Sequence, residues 1–329
     1  MRAHLLGGVP AVEVEARRAL LDAVGLVPAA MFVPRTGDPS YLDFHPEITA
    51  RARIKARVEA DPGVHARAAQ LRDGFAAWWE AHQPRLVALP GSNDLFHTRT
   101  ALLDSFQEAL LPVGMLDRFQ VAGVAASWWN EIQYDLKTLA AQGFYGLVDS
   151  WIASIRASVE GAGARNGEGP LEHPLVQHLL PNYLEKLAAL EAAVADLKAQ
   201  IAEAQREMDE DEGSEGGEKL GPEEIKDLKR RLTADRRRLR ALQGELLARL
   251  DAARAALEPG EAQALVLEVE RERLAAELDR YAAARRQQAV AAVENWWDKY
   301  QVSLREIEAE RDVMVSRLEG FVEALGYVG

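Results

Sequence analysis

Two stretches of heptad-patterned sequence, about residues 182–210 and 223–257, face each other across an acidic, glycine-rich turn, Asp209–Gly221. In the first, apolar residues recur at Leu180, Tyr183, Leu187, Leu190, Val194, Leu197, Ile201, Ala204 and Met208. The second presents Ile225, Leu228, Leu232, Leu239, Leu242, Leu246, Leu250 and Leu257 on a matching seam, interrupted by Asp235. A stripe this long and narrow is kept from water only by a partner helix. At about 1.5 Å per residue, each helix of such a hairpin would reach roughly 40–50 Å. The turn is too short for a parallel return over that distance, so the pattern predicts antiparallel pairing. An arm of this kind serves assembly or spacing, not chemistry.

Composition narrows the class. A chain of 329 residues with 48% hydrophobic content can bury real cores, in one large domain or in two to three ordinary ones. The net charge of −13 argues against coating nucleic acid by bulk electrostatics, although a local basic face is still compatible with DNA contact. The acidity is uneven: net −3 in residues 1–170 and net −10 in the remainder. Cysteine is absent, which excludes disulfides, thiolate metal sites and a cysteine nucleophile. Met1–Pro10 does not read as a signal peptide, and no stretch approaches 18 uninterrupted apolar residues, so a cytoplasmic protein without a membrane span is expected.

Along the chain, helices are predicted near residues 12–24, 46–59, 64–82 and 98–110. The proline- and glycine-rich passage Gly25–Pro46 is predicted as loop, with a short extended piece near Tyr41–Phe44. Residues 112–140 and 143–155 hold a dense run of large apolar groups, including Trp128, Trp129 and Trp151, with Tyr134 on the flank. Gly123, among bulky neighbours, would let two helices approach closely. Ala162–Gly169 reads as a linker. After Glu258–Pro259–Gly260, residues 263–320 read as one or two long helices carrying Trp296, Trp297 and Tyr300. No βαβ alternation appears, so the expected fold is all-α: an elongated helical body with a long antiparallel coiled-coil hairpin. The expected segments are 1–110, 111–181, 182–257 and 258–329, with the last packing back on the aromatic-rich core. Trp128, Trp129, Tyr134, Trp151, Trp296, Trp297 and Tyr300 are the candidate core or docking aromatics.

Motifs that carry chemistry are missing. Neither a dinucleotide fingerprint nor a nucleotide-triphosphate loop occurs. The seven histidines are scattered, and His173 and His178 are five apart, not the four of a helical metal pair. Glu131 and Asp135 share a helix face, but a salt-linked surface beside a tryptophan core explains them better than an acid–base pair. No catalytic, cofactor-binding or metal-binding residue is assigned.

Charge clusters are the remaining signal. Lys226, Lys229, Arg230, Arg231, Arg236, Arg237, Arg238 and Arg240 place eight cations in fifteen residues. They are candidate phosphate contacts spread round the helix, or else they balance Glu191, Glu203, Glu207 and the acidic turn. Arg51, Arg53, Lys55 and Arg57 form a second candidate cluster.

The segment Leu111–Val124 (LPVGMLDRFQVAGV), continuing through Trp128–Lys137 (WWNEIQYDLK), resembles the C-terminal region of modification subunits of type I restriction-modification systems. So do Glu294–Tyr300 (ENWWDKY), Ser303–Leu304, Glu310–Asp312 and the end of the chain from Leu318 through Leu325, Gly326 and Tyr327. Gly7–Pro10, with Tyr41–Phe44 further on, resembles the stretch that follows the catalytic domain in that family. The resemblance implies a parent adenine-N6 DNA methyltransferase that uses S-adenosylmethionine and carries an Asn-Pro-Pro-Tyr/Phe tetrapeptide. That tetrapeptide does not occur here. The implied role is therefore a non-catalytic assembly region, either a fragment or a separately encoded tail. It would dock to the specificity subunit and to the remaining methyltransferase domain, with double-stranded DNA held beside it. The alternative is a coiled-coil scaffold unrelated to DNA; a helical enzyme with an unrecognised site is weaker.

Overall fold

The computed structural model describes residues 8–92, 94–161, 169–209, 221–300, 311–319 and 321. Two compact units emerge. The first comprises Met1–Leu86, Phe96–Gln133 and Arg271–Gly329; the second comprises Val87–Leu95 and Tyr134–Glu270.

The first unit departs from the all-α expectation. Strands β1 (Val9–Pro10), β2 (Phe32–Pro34) and β3 (Tyr41–Phe44) form an antiparallel sheet in the order β1-β3-β2. Only the third was foreseen. The other two are too short to show a two-residue alternation, and each contains a proline, which sheets tolerate at their edges. Between them the chain makes two short helices, α1 (Ala11–Ala16) and α2 (Arg18–Ala23), where one was expected. Helix α3 (Arg51–Glu59) starts after an extended Ala50 and not at Pro46. Helix α4 (Pro62–Val87) begins where Gly63 meets Gly25, which sits at φ +82°; a Cβ on Gly63 would stand 2.2 Å from the Gly25 carbonyl oxygen. Only glycine allows that approach. Helix α5 (Leu95–Leu110) packs on α4 through Trp78, whose ring meets Phe106 edge to face at 5.0 Å and whose Nε1 donates to Ser105 Oγ.

The long helix α6 (Arg118–Val159) breaks at Gly143, where φ is +72° and ψ −173°, so it is two helices joined at a left-handed glycine. Helix α11 (Pro259–Tyr300) runs unbroken through the first part of the 263–320 stretch expected as one or two helices, and residues 301–310 of that stretch lie outside the described residues. Within the first unit, Tyr281 of α11 lies against Gly123 of α6, the close approach that the glycine suggested. Residues 96–133 fall in the same unit as the end of α11, whose rings find further neighbours from the start of the chain. Trp296 and Tyr300 enter a core with Val9, Leu21, Met31, Phe32, Ile54 and Val64, and Trp297 packs at its edge. The sheet and α1–α3 supply the apolar face that these rings need, and sequence spacing gave no sign of it.

In the second unit, α7 (Pro174–Leu179) leads into α8 (Pro181–Asp209), which pairs with α9 (Pro222–Gly244). The pairing is antiparallel, because the Tyr183 hydroxyl at the start of α8 donates to the Leu242 carbonyl near the end of α9 at 3.2 Å. Every seam position from Tyr183 to Ala204 and from Ile225 to Leu242 is buried or half-buried, and the positions between them are mostly exposed. The apolar stripes therefore cover each other. The second arm is shorter than expected: α9 ends at Gly244, and α10 (Leu246–Ala256) starts a new helix packed on α7. Arg254–Asp149 and Arg156–Asp251 ion pairs tie α10 to the second half of α6. The acidic turn at 210–220 and most of the linker, 162–168, lie outside the described residues.

Candidate nucleic-acid interface

The candidate aromatics are mostly core. Trp128, Trp129, Trp151, Trp296 and Tyr300 are buried, Trp297 is half-buried, and only Tyr134 is open, at 66% exposure. Three of the buried rings have specific neighbours. Arg99 stands 5.6 Å from the Trp129 ring, Trp151 Nε1 donates to Asp135 Oδ2 at 2.8 Å, and Trp296 meets Phe32. The two carboxylates weighed as an acid–base pair are thus engaged structurally, Asp135 by Trp151 and Glu131 by Arg273 at 3.6 Å. His173 caps α7, its Nδ1 accepting from the Leu175 amide. Among the described residues, no group of three or more His, Asp or Glu stands where it could hold a metal ion.

The Arg51–Arg57 cluster is drawn into the fold. Arg51 bridges α3 to α11 through Glu294 and Asp298, at 2.9 and 3.1 Å. Arg57 pairs with Glu47 and donates to the Ala30 carbonyl, and Lys55 lies 3.8 Å from Glu59. Arg53 is exposed and makes no ion pair among the described residues. An unpredicted contact lies nearby: Glu13 accepts from Tyr300 and Lys299. The Tyr300 hydroxyl, followed by Lys299, holds the Glu13 carboxyl below its usual range. Burial, then the Glu13 bond, raises the Tyr300 hydroxyl. No signal in the sequence links positions so far apart.

Helix α9 is different. Its described ion pairs are all made within the helix: Lys226–Glu223, Arg230 and Arg231 with Asp227, and Arg238–Asp235. Among the described residues none of these cations forms an ion pair with Glu191 or Glu203, and the Glu207 side chain and the acidic turn lie outside what is described. Lys229, Arg236, Arg237 and Arg240 are exposed, with no ion pair among the described residues. Burial of Ile225 and half-burial of Leu228, Leu232, Leu239 and Leu242 fix the rotation of the helix, and with it which charges share a face. The sequence reading spread them round the cylinder. The buried seam shows that they divide into two flanks.

The chain matches no family model, no curated protein and no solved structure. Among the described residues no helix is long and apolar enough to cross a membrane.

Proposed function

We propose that this chain is a non-catalytic assembly region of a type I restriction-modification methyltransferase subunit, one that docks to the specificity subunit beside double-stranded DNA. In this reading the S-adenosylmethionine site and the adenine-N6 chemistry belong to a separate methyltransferase domain. The resemblance of residues 111–137 and 294–300 supports the family, and the α8–α9 hairpin, read as a coiled-coil arm, supports an assembly role.

One observation carries the docking part. Helical residues 311–319 and Phe321 present Met314, Leu318 and Phe321 at i, i+4 and i+7, each more than half exposed at 62%, 62% and 56%. Apolar residues at that spacing form one helix face, and water is a poor neighbour for it. The seam of the hairpin does not serve this purpose, because its two stripes cover each other. Co-expression with a specificity subunit tests the reading. Met314→Glu with Leu318→Glu should abolish co-purification and leave the fold intact, since both side chains are exposed. Undiminished co-purification refutes docking through this face.

A scaffold unrelated to DNA is favoured by one fact, the net charge of −13. The neighbouring genes separate the two readings. A methylase with Asn-Pro-Pro-Tyr/Phe and a specificity gene beside this one support the first, and their absence supports the scaffold.

A further inference from the structure

We infer that one face of α9 is a track for the phosphate backbone of a nucleic-acid duplex, and that the opposite flank of the same helix is not. At 3.6 residues per turn, Lys226, Lys229, Arg230, Arg236, Arg237 and Arg240 fall within about a third of the circumference, on one flank of the seam that meets the partner helix. All six are exposed. The acidic residues of α9 (Glu223, Glu224, Asp227, Asp235) fall outside that arc, together with Arg231 and Arg238. No acidic residue of α9 lies within the arc, and among the described residues only Lys226 and Arg230 of its six cations pair with acids at its border, Glu223 and Asp227.

Its dimensions suit a polynucleotide. From Lys226 to Arg240 the track is about 21 Å long, a length along which one DNA strand carries about six phosphates. Four of the six cations are arginines, whose planar forks grip phosphate oxygens in pairs. The chemistry of the face also separates a polynucleotide from an acidic protein. Protein interfaces are anchored by desolvated apolar or aromatic groups. Between its cations this face holds only small or polar side chains such as Thr233, while the leucines of α9 are turned into the seam. A phosphate backbone needs no apolar anchor. The choice of DNA as the duplex rests on the proposed family reading; the phosphate chemistry does not.

The test uses the full chain and a fluorescein-labelled DNA duplex of random sequence, with anisotropy read across a salt series. The unmodified chain should bind at low salt, regardless of sequence. Arg236→Gln with Arg237→Gln should weaken binding at least tenfold and make the log–log salt slope shallower by about two. Arg231→Gln with Arg238→Gln removes the same charge from the other flank and should change affinity less than twofold. Circular dichroism confirms that both variants fold. Equal losses in the two variants, or no binding by the unmodified chain, overturn the inference. Labelled poly-glutamate bound more tightly than the duplex would reassign the face to an acidic protein and overturn it as well. Co-purification with the specificity subunit is read separately, so failure of the docking proposal leaves this outcome legible.

Discussion

Trp296 meets Phe32 edge to face, ring centroids 5.7 Å apart and planes at 69°, and so closes the end of α11 onto the small N-terminal sheet. Trp297 makes a similar contact with Phe44 at 5.0 Å but stays half-buried. Truncating a buried tryptophan costs about 3–5 kcal/mol. Trp296→Ala should therefore lower the melting temperature by roughly ten degrees, and Trp297→Ala by clearly less. Thermal denaturation followed by circular dichroism checks the order. Equal shifts, or a larger one for Trp297, would place the wrong ring in the core.

Two glycines make close contacts of different kinds. A Cβ on Gly63 would meet the backbone carbonyl of Gly25, which moves only with its chain. A Cβ on Gly123 would meet the far end of the Tyr281 side chain, 2.7 Å from the phenol oxygen, and that ring can rotate away. Gly63→Ala should cost about 1–3 kcal/mol. Gly123→Ala should be near neutral, since alanine's helix preference of about 0.5–1 kcal/mol offsets the ring's displacement. Urea midpoints of the two variants measure the contrast.

Asp235 occupies a seam position of α9 with its side chain 20% exposed, held to Arg238 at 3.1 Å. A carboxylate at an apolar seam loses hydration that one exposed ion partner does not restore. Asp235→Leu should raise the stability of the second unit by about 1–2 kcal/mol. Loss of stability would instead mean that the charge keeps the two helices in register, the role polar seam residues have in some coiled coils.

Acid should loosen the tie between α1 and the end of α11. Hydrogen bonds from Tyr300 and Lys299 depress the folded-state pKa of Glu13. Its contribution is therefore fully present above the unfolded value, near pH 4.3, and is lost as the pH falls through the lower folded value. After discounting for partial exposure it amounts to about 1 kcal/mol. Glu13→Gln should be less stable than the parent at pH 6 and indistinguishable from it near pH 2. A difference that persists in acid would point to packing as its cause.

The two long helices of the hairpin were legible in the sequence: apolar stripes on 182–210 and 223–257 each need a cover, and α8 and α9 do pair antiparallel, so local pattern and tertiary outcome coincide. Gly123 was legible for a related reason, because a missing side chain among bulky neighbours marks a close approach. The sequence could not show what Trp296 packs against, since the sheet that receives it is built from two- to four-residue strands with no readable period. It could not show that Arg51 bridges α3 and α11, because ion pairs between distant segments leave no local trace. The charged face of α9 lies between these cases. The cations are plain in the sequence, but only burial of the leucine seam, a tertiary fact, fixes the helix rotation and sorts them into one face that is free of acids and another that is not.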